Sequence, residues 1–128
     1  MIFGIGADIV EVERVEKIYA RHGHHFVKNI LTPRELALLD GKTGKAEFIA
    51  GRWAAKEAFS KALGTGMCIE CAFVEIEILP DDRNAPRIAL LGETAKTAER
   101  LGISAVHVSI SHERHYAVAN VVLEKDAQ

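Results

Sequence analysis

The sequence predicts an α+β fold, an antiparallel sheet packed on helices, one of them long and buried. Three observations predict it. Apolar–polar alternation marks strands that come mostly in hairpins rather than in βαβ alternation. The segment from Lys45 to Leu63 is apolar in nearly every helical direction, as a buried helix is. The chain has 128 residues, 48% hydrophobic and 27% charged, which suits one domain, 1–128, with a sizeable core. The predicted element order is β-α-α-α-β-β-α-β-β.

The first strand covers Met1 to Asp8, with Gly4 and Gly6 where backbone must approach something closely. A helix follows from Ile9 to His22 and closes at Gly23. Val12, Val15, Ile18 and Tyr19 share one of its faces, and Arg14, Lys17 and Arg21 share another. Thr32-Pro33-Arg34-Glu35 is a helix start, with Thr as N-cap, Pro at the first helical position and Glu three residues after the cap. That helix covers Pro33 to Leu39 and ends near Asp40-Gly41.

The long helix, Lys45 to Leu63, stops at Gly64-Thr65-Gly66. Phe73 to Leu79 alternates apolar and acidic residues, a strand with one wet face. Pro80 to Asn84 is a turn and Arg87 to Leu91 the return strand. Thr94 to Leu101 is a short helix stopped by Gly102. Ala105 to Ser111 and Tyr116 to Leu123 are the last two strands, joined by His112 to His115.

Composition narrows the functional classes. The formal net charge is −2, so the bulk balance implies no nucleic-acid partner. No apolar run is long enough to span a bilayer. The start, MIFGIGADIVE, lacks a basic n-region and meets an acid at Asp8, so it does not read as a signal peptide, and a cytoplasmic location is expected. Cys68 and Cys71 form a lone CxxC without a second pair, which reads as two reduced thiols. His22, His24 and His25 lie in a loop without a neighbouring carboxylate or cysteine, a poor metal site.

Charge is unevenly distributed. Arg14, Lys17, Arg21, Lys28 and Arg34 face only Glu16 in the same stretch. The stripe on the first helix is either solvated surface or a docking face. Glu57 and Lys61 are either an ordinary i,i+4 pair worth ~0.3–0.5 kcal/mol or partly desolvated charges placed for chemistry. The small residues Ala50 and Ala54 on the same side of the helix would let a ligand or another element come close. The two glycines after Leu63 free the backbone to turn and to present amide N–H groups. Asp8 at the end of an apolar strand is either an N-cap or a ligand. Two carboxylates on separate elements with a lysine nearby suit Mg²⁺ and a phosphorylated ligand. His112 stands at a strand-to-turn corner, where it is either incidental or functional.

Three fragments, GIGADIVE, FIAGRWAAKEAFSKALGTG and VSISHE, together resemble the 4'-phosphopantetheinyl transferases, in their short single-domain class. The resemblance extends over essentially the whole chain, including ILTPREL and AVANVVLE. It implies transfer of the phosphopantetheine arm of coenzyme A to a serine of apo acyl carrier protein, releasing adenosine 3',5'-bisphosphate. It also implies Mg²⁺ as cofactor, a role in fatty acid biosynthesis, and a homotrimer with active sites between subunits. Asp8 and Glu57 match metal ligands of the family, and Lys61 matches the lysine near the pyrophosphate and the reacting hydroxyl. His112 matches a residue on the coenzyme A phosphates, contributed by a neighbouring subunit. Gly64, Thr65 and Gly66 match the loop lining the cleft, and Arg52 and Pro86 lie where relatives touch the nucleotide end. Arg14, Lys17 and Arg21 would dock the acidic carrier protein, which predicts a salt-sensitive KM for it. The serine proton would go to Glu57 or to a metal-bound water.

The chain departs from the family's pattern twice. Val10 stands where the larger transferases carry a second acid, and Met67 to Cys71 lacks the glycines common there. Two rival readings are a non-catalytic trimeric ligand-binding α+β domain and a different Mg²⁺-dependent nucleotide enzyme. The first explains the hairpins but not Asp8, Glu57, Lys61 and His112 together; the second is separated by thermal stabilisation with coenzyme A and Mg²⁺ rather than with ATP.

Overall fold

Strand β1 runs Ile2–Glu11 in a computed structural model that describes residues 1–127. It is longer than the sequence predicts, so Asp8 lies inside the strand, opposite Ala119, and is not the N-cap of the next helix. That position falls to Glu11, whose side chain makes no capping bond. Helix α1 (Val12–His22) ends at Gly23, whose φ of 54° is open to glycine at little steric cost. A single helical turn, α2 (His24–Val27), follows in the stretch read as loop. Helix α3 (Pro33–Asp40) carries the predicted capping box: the Glu35 N–H donates to Thr32 Oγ1 and the Thr32 N–H to Glu35 Oε1.

Helix α4 (Lys45–Leu63) has the predicted bounds and lies through the centre of the molecule. Residues 73–75 form a 3₁₀ turn rather than strand. The Glu75 carboxylate reaches forward and accepts the N–H groups of Glu93 and Thr94 at the start of helix α5 (Gly92–Arg100), which draws this stretch out of strand geometry. Strands β2 (Ile76–Pro80) and β3 (Pro86–Leu90) form an antiparallel hairpin. The expected wet face of β2 is not wet. Glu77 is buried under α3, where it accepts the Thr32 hydroxyl at 2.7 Å.

Strands β4 (Ile103–His112) and β5 (Tyr116–Lys125) complete a second antiparallel sheet, ordered β1-β5-β4. Its inner face packs on α4, where Ala58, Phe59, Ala62, Ala119, Val121 and Leu123 make the main core. Its outer face presents three registered rows: Ile5–Val122–His107, Ala7–Asn120–Ser109 and Ile9–Val118–Ser111. Ile5 and Ile9 are 65% and 61% exposed there.

The glycines of β1 explain how a strand can lie against a helix backbone. A Cβ at Gly4 would collide with the Ala62 carbonyl, and one at Gly6 with the Ala58 carbonyl and the Ala62 amide. Without those side chains β1 sits directly on the last turns of α4, and the two elements are held in a fixed relation.

Candidate functional site

That close approach brings Asp8 to Lys61. The Lys61 ammonium donates to Asp8 Oδ1 at 2.8 Å and to the Ala7 carbonyl at 3.2 Å. The bond to Asp8 raises the Lys61 pKa above the usual lysine value, so the ammonium is secure at neutral pH although about half exposed. Lys61 therefore pairs across elements, and among the described residues no Glu57–Lys61 ion pair forms.

Glu57 stands one turn earlier on α4. With Asp8 it lines a small cleft of about 230 Å³, bordered also by Ile9, Glu11, Arg14 and Trp53. Among the described residues no donor contacts the Glu57 carboxylate, and the second Asp8 oxygen is equally unclaimed. Two hard carboxylate donors with open oxygens, in a cleft open to solvent, fit Mg²⁺, which keeps waters and substrate phosphates in its shell.

A second, larger cavity of about 590 Å³ lies beside the other side of α4. Arg52, Pro86 and His112 line it, as do Lys42, Phe48, Asn84 and Ile110. His112 ends β4, paired with Ala117, and Pro86 opens β3. The hairpin mouth is rigid because Asp81 accepts the N–H groups of Arg83 and Ala85 and the Arg87 guanidinium. Three basic side chains face one carboxylate, Glu47, in this cavity, so it suits an anion.

Sequence reasoning missed the buried charge cluster behind that cavity. Lys56 and Glu35 are both fully buried and 2.6 Å apart. The Lys56 ammonium also donates to the carbonyls of Ile30 and Phe73. Burial lowers the pKa of Lys56, and of Arg52 as well, and Glu35 opposes both shifts. A signal was present: a lysine in a helix apolar all round has to find a buried partner.

The Gly64-Thr65-Gly66 loop does not present its amides as expected. Gly64 adopts a left-handed conformation at the end of α4, and its N–H donates to the Ser60 and Lys61 carbonyls. The Gly66 N–H also goes to Ser60. The glycines thus satisfy orphan helix carbonyls. Of the three amides only that of Thr65 lacks an acceptor among the described residues. None of the three residues lines either cleft.

On α1, Arg14 stands 5.7 Å over the Trp53 ring at the rim of the small cleft. Lys17 and Arg21 extend the basic stripe outward from it, Lys17 in an exposed pair with Glu13. Cys68 and Cys71 are free thiols, exposed and buried respectively. No helix of the described residues is long and apolar enough to cross a membrane.

Comparison with known proteins gives one consistent result. The sequence profile of the 4'-phosphopantetheinyl transferase superfamily matches residues 4–121. A holo-[acyl-carrier-protein] synthase of Vibrio cholerae is 47% identical over 98% of this chain and 99% of its own. One from Photobacterium profundum is 43% identical over 96% and 98%. Among solved structures, the Neisseria meningitidis holo-[acyl-carrier-protein] synthase superposes with a TM-score of 0.93 at 39% identity, covering 98% of this chain and all of that one. The Bacillus anthracis enzyme, solved with coenzyme A (3',5'-ADP), gives 0.83 at 43% identity over 98% and 99%.

Proposed function

The chain belongs to the holo-[acyl-carrier-protein] synthases of the 4'-phosphopantetheinyl transferase superfamily, and from this we propose how its two clefts divide one reaction. The reaction moves the 4'-phosphopantetheine group of coenzyme A to a serine hydroxyl of apo acyl carrier protein, giving holo carrier protein and adenosine 3',5'-bisphosphate. The observation that carries the division is the separation of the charged residues into two clefts of opposite character. The small one holds Asp8, Glu11 and Glu57 against Arg14, and the large one holds Lys42, Arg52 and His112 against Glu47.

In this reading the large cavity takes the nucleotide end of coenzyme A. Arg52 and His112 face its phosphates and Pro86 packs against the nucleotide. The small cleft takes the pyrophosphate and the incoming serine. Asp8 and Glu57 would hold Mg²⁺, which supplies charge neutralisation on the pyrophosphate oxygens when bound. Lys61, held by Asp8, adds a fixed positive charge where negative charge develops on the departing phosphate. Phosphoryl transfer asks a protein mainly for such positioning and neutralisation. The serine's proton must leave in the small cleft, whose Glu57 carboxylate has no hydrogen-bond partner among the described residues. The basic stripe of Arg14, Lys17 and Arg21 begins at the rim of the same cleft, which suits an acidic carrier protein delivering its serine there. Gly64, Thr65 and Gly66 fix the end of the helix bearing Glu57 and Lys61.

The subunits associate as a homotrimer in which the large cavity of one subunit, with its His112, adjoins the small cleft of its neighbour. The exposed isoleucines on the outer sheet face support this, since a monomer rarely leaves such a registered apolar row in water. The enzyme works in the cytoplasm.

The test is direct. The purified protein is incubated with apo acyl carrier protein, coenzyme A and Mg²⁺, and the carrier protein is weighed by mass spectrometry. A gain of one phosphopantetheine arm is expected, lost on chelation and lost with Glu57→Ala although that variant stays folded. Full activity of Glu57→Ala would remove Glu57 from the metal site.

A further inference from the structure

We propose that Glu35 is a positioning residue: its buried carboxylate orients the Arg52 guanidinium toward the large cavity and so sets how tightly the nucleotide end of coenzyme A is held. This rests on the reading of that cavity as the nucleotide pocket.

Glu35 is fully buried and joins three elements. Oε1 accepts the Thr32 N–H at 2.9 Å and the Lys56 ammonium at 2.6 Å. Oε2 accepts the Ile78 N–H at 3.0 Å. The carboxylate is therefore anchored by α3, α4 and β2 and cannot swing. Arg52 Nε lies 3.7 Å from Oε2, inside ion-pair range and outside hydrogen-bond range. It is buried and, among the described residues, has no hydrogen-bond partner. The Phe48 ring lies 4.6 Å from the guanidinium carbon. An aromatic face and one anchored charge are thus what hold this guanidinium. With its Nε edge turned to Glu35, its two terminal nitrogens are left for the cavity that Arg52 lines.

The charge balance strengthens the case. Arg52 and Lys56, one turn apart on α4, both face Glu35, and Lys56 takes the shorter contact. Arg52 keeps surplus positive charge toward the cavity, where a phosphate would complete it. Field and orientation then predict opposite signs for loss of the Glu35 charge. If Glu35 only dilutes the field of Arg52, its neutralisation tightens phosphate binding. If it orients Arg52, its neutralisation weakens binding, and only while Arg52 is present.

The experiment measures the Kd of adenosine 3',5'-bisphosphate by calorimetry for the wild type, Glu35→Gln, Arg52→Gln and the double variant. The expected result is about tenfold weaker binding for Glu35→Gln in the Arg52 background and little further loss in the Arg52→Gln background. KM for coenzyme A should rise in step, with KM for the carrier protein unchanged. Binding as tight as the wild type or tighter, or an equal loss in both backgrounds, overturns the proposal. Should Glu35→Gln not fold, Glu35→Asp keeps the charge but withdraws it by one methylene. It is placed in the same cycle with the same deciding outcomes. A wild type that binds no bisphosphate overturns the nucleotide-pocket reading and this proposal with it. A wild type that binds while the cycle shows no coupling overturns this proposal alone.

Discussion

Cys71 is buried in the main core, and burial pushes its thiol up to about 11. The fold therefore favours the neutral thiol, and the unfolded chain releases that proton at lower pH. The contribution is complete below the unfolded value near 9 and is lost as pH rises toward 11. Unfolding by urea should show about 2–3 kcal/mol of stability lost across that window, and Cys71→Ala should lack this part of the slope. An identical slope in both proteins would assign the loss to other groups. At this scale the sequence was legible where a motif names a residue's geometry. Thr32 and Glu35 form the capping box their spacing predicts. It was not legible that Glu35 would also take Lys56, Ile78 and Arg52, because those partners come from other elements. The partner of Lys61 was left open for the same reason: its spacing to Glu57 was visible, whereas its distance to Asp8 depends on how β1 lies on α4.

That packing belongs to the scale of elements. The glycines of β1 announce a close approach, and the approach is to the backbone of α4. Gly6→Ala should cost about 3 kcal/mol or more, since the added methyl meets a backbone carbonyl rather than a side chain that can turn aside. Thermal unfolding checks it, and a melting point within a degree or two of the wild type would mean that strand and helix can part without cost. Sequence reasoning located α4 to the residue because its apolar side chains cover nearly every helical direction and Gly64 stops it. It failed at Phe73 to Glu75, where strand alternation is outweighed by the pull of the Glu75 carboxylate toward the first amides of α5. It also failed at α2, a single turn too short to carry a period.

At the scale of the molecule, the outer sheet face is the feature a lone chain leaves unexplained. Ile5 and Ile9 lie four residues, or two pleat repeats, apart and stand in register with Val122 and Val118. Ile5→Glu places a charge on that face without touching the core, because Ile5 is already 65% exposed and lines neither cleft. Sedimentation equilibrium should find a folded monomer, and phosphopantetheine transfer should fall away with the assembly. A monomer with undiminished turnover would mean that one chain holds a whole site. The general architecture was readable from the chain alone, because hairpins and a buried helix leave local signatures. The division of charged residues between two clefts was not, since it arises only when Asp8, Glu57 and His112 are placed by elements far apart in sequence.

The separation of Glu57 from His112 has a consequence for mixtures. If each working site borrows its histidine from next door, a subunit crippled at one residue still carries a sound copy of the other. Glu57→Ala and His112→Ala, each inert alone, should then complement one another when unfolded together and reassembled. Random mixing around a ring of three would restore about a quarter of the junctions.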